Sequence, residues 1–233
     1  MVSLGAVLVR LLTSGGYGWF VQQRMFIPLV LASVVLLVFG GYEAIGGLRE
    51  EQRSKEASRW SVAPAVGWLL LLPLVVLVMV APTALGAAAA TRVEAFTPTD
   101  QTTTFAPLDP SEAPIEMRVY DFLDRAIWDP ERSLEGVPVR LEGLVVNDER
   151  APGGFMLTRF MVSCCAADGI PLQVALRDTG QPLDDDTWVV ADVIWRPPST
   201  PYDQVEGPVV VEADVVSISP QPGVRPDPYE SPY

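Results

Sequence analysis

Apolar residues follow two different rhythms along this chain. In the first ninety residues they come in unbroken blocks. Met25 to Tyr42 (MFIPLVLASVVLLVFGGY) carries no charge, and Trp60 to Thr91 is a second uncharged stretch, centred on VGWLLLLPLVVLVMV. A helix needs about 20 apolar residues to cross about 30 Å of hydrocarbon, so both blocks predict transmembrane helices, at about 25–42 and 65–86. An earlier block, Leu4 to Leu12, is interrupted by Arg10 and followed by SGGYGWFVQQR. It predicts a third span over about 3–21 with Arg10 reaching back to the interface, or else a re-entrant or surface-lying segment.

Beyond residue 115 the rhythm changes to short alternations. Apolar residues at 119, 122, 123, 126 and 127 mark one face of a helix that Asp129-Pro130 ends. Five strand patterns follow, separated by Gly, Pro and Asp turns: Val137 to Val145, Phe155 to Cys164, Ile170 to Arg177, Trp188 to Trp195, and Val209 to Val215. The second changes phase, with Phe155 and Leu157 on odd positions but Phe160, Val162 and Cys164 on even ones, as a bulge in a bent barrel strand would produce. Five short strands, one of them bent, predict a small OB-like barrel; a two-sheet sandwich usually needs about seven. The expected fold is a membrane helical anchor of two or three helices (1–90), a Thr/Pro/Asp linker (91–114), an all-β OB-like domain with one preceding helix (115–220), and a Pro/Tyr-rich tail (221–233).

Charge sharpens this division. Residues 1–95 hold seven basic and five acidic groups, whereas residues 96–233 hold nine Arg against 24 Asp and Glu. Four of the basic residues lie in the loop REEQRSKEASR, and positive loops stay in the cytoplasm. The expected placement is therefore the cytoplasmic membrane, with the acidic domain outside. So acidic a domain repels phosphate backbones, which makes nucleic acid a poor partner. The 233 residues contain no histidine, which removes Ser-His-Asp and Cys-His catalysis and His-based zinc sites. No phosphate-binding glycine loop occurs, and a non-enzymatic protein is expected.

The chemically distinctive string is R-F-M-V-S-C-C-A-A-D-G-I-P, with the only two cysteines at 164 and 165. Cys164, Cys165 and Asp168 could together hold a soft or borderline metal ion such as zinc, given a further ligand. Adjacent cysteines could instead form a strained, easily reduced disulfide, or offer a thiol to a partner protein. Against these stands the plain alternative that Cys164 fills the core. Asp184-Asp185-Asp186 reads as a solvated turn rather than a calcium site, and Asp148-Glu149 as no hydrolytic dyad for want of a pocket.

The N-terminal hairpin with VGWLLLLPLVVLVMVAPTALG and the domain built around R-F-M-V-S-C-C-A-A-D-G-I-P-L together resemble the YcgQ-like family of permease subunits, functionally uncharacterised bacterial membrane proteins. The matching residues are Arg159, Phe160, Cys164, Cys165, Ala166, Ala167, Asp168 and Pro171, with L-E-G at 141–143 and the tryptophan strand at 188–195. The resemblance implies an accessory subunit of a multi-span membrane permease, seated in the lipid bilayer, whose outer domain handles or gates a solute or a zinc-like metal. Relatives often carry histidine near the first spans, where this chain reads VQQRMF and EEQRSKEASR. Metal handling here would rest on Cys164, Cys165 and Asp168, with Arg159, Phe160 and Pro171 completing the partner-facing motif. A thiol-redox protein and a structural envelope protein are the competing expectations.

Overall fold

The computed structural model describes residues 2–51, 85–98, 104–151, 153–180, 182–205, 209–221 and 229–230. The chain divides into two compact units, Met1–Ala84 and Leu85–Tyr233.

In the first unit, helix α1 (Val2–Thr13) packs on helix α2 (Phe26–Glu51). Gly5 permits the approach, since a Cβ there would stand 2.8 Å from Leu37 Cγ and Cδ2. At 1.5 Å per residue, the 12 residues of α1 reach about 18 Å, short of a bilayer's hydrocarbon core. The stretch Gln23–Tyr42 is, among the described residues, the one helix long and apolar enough to cross a membrane, a test that an anchor and a signal sequence both pass. Its large side chains face outward: Ile27 is 68% exposed and Phe39 63%. The second expected span falls on 52–84 and lies outside the described residues, apart from Leu85 and Gly86.

The second unit opens with the short helix α3 (Ala87–Ala90), the two-residue strand β1 (Ile115–Glu116) and helix α4 (Val119–Trp128). Five longer strands follow: β2 (Pro138–Val146), β3 (Phe155–Met161), β4 (Ile170–Arg177), β5 (Trp188–Arg196) and β6 (Val211–Pro220). A last short strand is β7 (Tyr229–Glu230). The order is β1-β2-β5-β6-β4-β3-β7, and β2 also pairs with β3, so the five long strands close into a barrel. Within it β4 and β6 run parallel and every other pair is antiparallel.

The barrel interior follows the alternation in the sequence. Val139, Leu141 and Val145 of β2, Leu172, Val174 and Leu176 of β4, and Val189, Ala191 and Val193 of β5 share one core. Helix α4 adds Val119, Phe122, Leu123 and Ala126 to that core, the i, i+3, i+4, i+7 stripe of an amphipathic helix.

The phase change in β3 has a different origin from the expected bulge. β3 pairs with β4 without a break from Phe155↔Leu176 to Met161↔Ile170. Both of its faces are buried instead. Phe155, Leu157 and Met161 join the interior core, while Met156, Phe160 and the following Val162 enter a second cluster with Leu144, Val146, Ala175 and Tyr229, covered by Ala87 and Ala90 of α3. The observed irregularity lies between β5 and β6, at Asp192/Val193, inside an apolar run that hides it from a pattern reading.

The described part of the expected spacer is pinned to the barrel. The Phe96 amide donates to the Pro171 carbonyl at 2.9 Å and the Phe96 ring stacks on Tyr120 at 6.2 Å. Trp128 Nε1 donates to the Pro98 carbonyl at 2.7 Å, and the Arg125 guanidinium lies 5.1 Å from the Phe105 ring centroid. Thr/Pro composition predicts a chain that cannot fold alone, but two aromatic anchors suffice to lay it along a preformed surface.

Candidate functional site

The two cysteines lie in the turn that joins β3 to β4. After the buried Val162 the chain leaves the sheet, and Ala166–Asp168 form one turn of 3-10 helix before Ile170 resumes the ladder. Asp168 organises this turn. Its carboxylate accepts the amides of Ser163 (3.1 Å), Cys164 (2.8 Å) and Cys165 (3.4 Å). A short carboxylate three residues into a turn satisfies amides that the strand ladder has released.

Cys164 is exposed and Cys165 half-buried, and both are free thiols. Their sulfurs stand 3.7 Å apart. The plain expectation that Cys164 fills the core is corrected here: the chain turns at Ser163, one residue before the alternation would have carried Cys164 inward. The Cys164 thiol is pushed up to about 11, first by its hydrogen bond to Asp168 and then by Cys165. Burial alone would raise Asp168, but the Cys164 amide and thiol and the amides of Ser163 and Cys165 outweigh it and hold that carboxyl below the usual range.

This arrangement fits poorly with a zinc-like ion. Soft metals take thiolates, so an ion here would have to displace the proton that Asp168 holds on Cys164, and the Asp168 carboxylate is already engaged by backbone amides. Among the described residues, no three His, Cys, Asp or Glu side chains form a group that could hold a metal ion.

The other expected motif residues are structural in placement. Phe160 is buried in the outer cluster and pairs with Pro171 in the β3–β4 ladder, while the Pro171 carbonyl holds Phe96. Arg159 lies 3.7 Å from Glu230 and 5.2 Å from the Trp188 ring centroid. The acidic clusters are structural as well. Asp185 accepts the Asn147 amide at 2.7 Å, Asp186 caps α3 through the Ala87 amide at 2.6 Å, and Asp148 pairs with Arg150 at 2.9 Å.

A second site was not legible in the sequence. Glu230 of β7 is only 6% exposed, and its carboxylate accepts the amides of Val119 (2.9 Å) and Tyr120 (3.0 Å) at the start of α4. Arg118, at the N-cap position of that helix, makes no side-chain cap bond, so the cap comes from 111 residues away. Burial raises the Glu230 carboxyl above its ordinary value, against the pull of the Tyr120 and Val119 amides and of Arg159 and Arg118. The sequence signal was an acidic residue in an otherwise Pro- and Tyr-rich tail, and nothing local tied it to α4.

Fold and turn together define a small acidic β-barrel module with a helix closing its core and an exposed dithiol turn. The chain belongs to the family of the DUF1980 C-terminal domain, which matches residues 104–220. That region contains α4, the five long strands and the dithiol turn, and leaves out α1, α2 and β7. No protein with a curated description matches the chain. Among solved structures, a chain described as an aspartyl-tRNA synthetase from Leishmania major Friedlin aligns at 12% identity over 57% of this chain and 24% of its own length. Its TM-score of 0.26 is too low for the two folds to be equated.

Proposed function

We propose that the chain is a membrane-anchored accessory subunit of a multi-span permease, with an OB-type barrel standing outside the cytoplasmic membrane to handle or gate the transported solute. The observation that carries this reading is the surface of α2. A helix of 26 residues that leaves Ile27, Leu31, Val34, Val35, Val38 and Phe39 all more than half exposed has the character of a lipid- or protein-facing element, since soluble helices bury such a stripe. The resemblance to the YcgQ-like motif adds to it, and the strand order, in which the last long strand sits between the third and fourth, supports the OB type of the barrel. In this reading the exposed Cys164–Cys165 turn is where the domain meets the permease or its solute, through thiols rather than a preformed metal cradle. Affinity purification of the full-length protein from mild-detergent membranes tests it. A stoichiometric multi-span permease is the expected companion, and recovery of the protein alone would overturn the subunit reading.

A second reading, a thiol–disulfide exchange protein, is favoured by the 3.7 Å separation of two accessible sulfurs. Closing the Cys164–Cys165 disulfide would release two protons and pass two electrons to an external disulfide, which would leave as two thiols. Intact mass under non-reducing conditions distinguishes the readings: the redox protein is about 2 Da lighter when oxidised, and the subunit keeps both thiols.

A further inference from the structure

The barrel does not close evenly. β2 and β3 pair only from Leu144↔Thr158 to Val146↔Met156. Earlier along β2 the same edge is taken by β1, at Val139 and Arg140, and beyond Thr158 the corresponding edge of β3 is taken by β7, at Phe160 and Met161. Between these two short strands lies a cavity of about 530 Å³, lined by Arg118, Arg140, Arg159, Glu116, Glu142 and by β7 itself.

β7 sits in this seam as a bound peptide would. Its backbone pairs with β3, and the Val162 amide donates to the Glu230 carbonyl at 3.1 Å. The Tyr229 ring is buried in the outer cluster, and the Glu230 carboxylate takes the α4 amides beside Arg159. Main-chain pairing supplies affinity and alternate side-chain pockets supply selectivity when a strand adds to a sheet edge. Of the three lining arginines, Arg118 pairs with Asp121 and Arg140 with Asp192, each at 2.7 Å, and Arg159 is the guanidinium that faces the Glu230 carboxylate, at 3.7 Å. The residues that form the seam, from Glu116 to Arg159, all lie inside the family-matched region, whereas the strand that fills it lies outside.

We propose that this seam is a docking slot for an extended peptide carrying an aromatic residue followed by a carboxylate, filled in cis by Tyr229-Glu230 and open to a segment of the same chemistry on a partner protein. The slot is independent of the permease reading and stands or falls on its own.

The test uses the full-length protein in mild detergent, with a protease site placed within 222–228 and cut after folding. The probe is a labelled peptide of residues 227–232 (Asp-Pro-Tyr-Glu-Ser-Pro). The cut protein is expected to exchange its strap for the probe and to bind it at least tenfold more tightly than the uncut chain, where the tethered strand competes at high effective concentration. A probe carrying Glu230→Ala should bind at least tenfold more weakly. The slot is overturned if the strap departs and no probe is taken up, if the strap cannot be exchanged at all, or if uptake ignores the Glu230→Ala change.

Discussion

Asp168 and Glu230 do the same work in opposite surroundings. Each carboxylate gathers backbone amides that regular structure has left over, three in the dithiol turn and two at the start of α4. Asp168 serves its own neighbours at the surface, and the amides hold its carboxyl low. Glu230 serves a helix 111 residues away in the interior, where lost hydration outweighs the same kind of bond and pushes the carboxyl up. A cap drawn from the neighbouring chain organises only its turn; a cap drawn from the far end of the chain ties the fold together.

The largest expected effect separates the two directly. Glu230→Ala leaves two amides and the Arg159 guanidinium without their carboxylate in a buried site, and should lower the barrel's stability by about 3–5 kcal/mol. Thermal melting of the detergent-solubilised protein should show a fall on the order of 10 °C. A fall no greater than that of Asp168→Ala would erase the contrast.

The two sites should next respond to pH in opposite senses. Glu230 has a folded-state pKa above its unfolded one, so its contribution is complete below the unfolded value of about 4.5 and fades as pH rises through the raised value. Protection of the Val119 and Tyr120 amides, corrected for intrinsic exchange, should therefore decline as pH rises above the ordinary carboxylate range, and Glu230→Gln should flatten the decline. Asp168 has the lowered value, so its turn holds above the ordinary carboxylate range and loosens only as pH falls below about 4. Equal slopes at both sites would contradict the assigned shifts.

Asp168→Asn removes the charge that keeps the Cys164 proton in place, so iodoacetamide should modify Cys164 roughly tenfold faster at about pH 8. Mapping the adduct by peptide mass spectrometry assigns the rate to that sulfur. Cys164→Ser is the smallest change of the series. The side chain is exposed and packs into no core, so the melting temperature should move by less than about 2 °C; a larger drop would place the thiol in the fold rather than on it.

What the sequence reveals and what it hides follows the same division. Val119, Phe122, Leu123 and Ala126 announce α4 because their spacing is local, and the five long strands announce themselves by alternation. The interruption read into β3 at Phe160 was a second buried face, because one-dimensional pattern cannot tell a slipped strand from one covered on both sides. The short helix Ala87–Ala90 that supplies the cover lies some seventy residues earlier. Asp168 was singled out beside the cysteines because all three are neighbours in the chain. The partnership of Glu230 with Val119 needed the folded seam to be seen at all.

The position of β6 carries one more consequence, for the order of events during synthesis. This strand enters between β5 and β4, pairing with one antiparallel and the other parallel, yet it is the last of the long strands to be made. A nascent chain that has emerged only through Arg196 can pair β5 with β2, β2 with β3 and β3 with β4 as one open sheet, but the outer edges of β4 and β5 stay unpaired. Closure waits for Val211 to Pro220, a long-range step of the slow, non-local kind. Until those ten residues arrive, the domain's vulnerability to misassociation is set by a strand that does not yet exist.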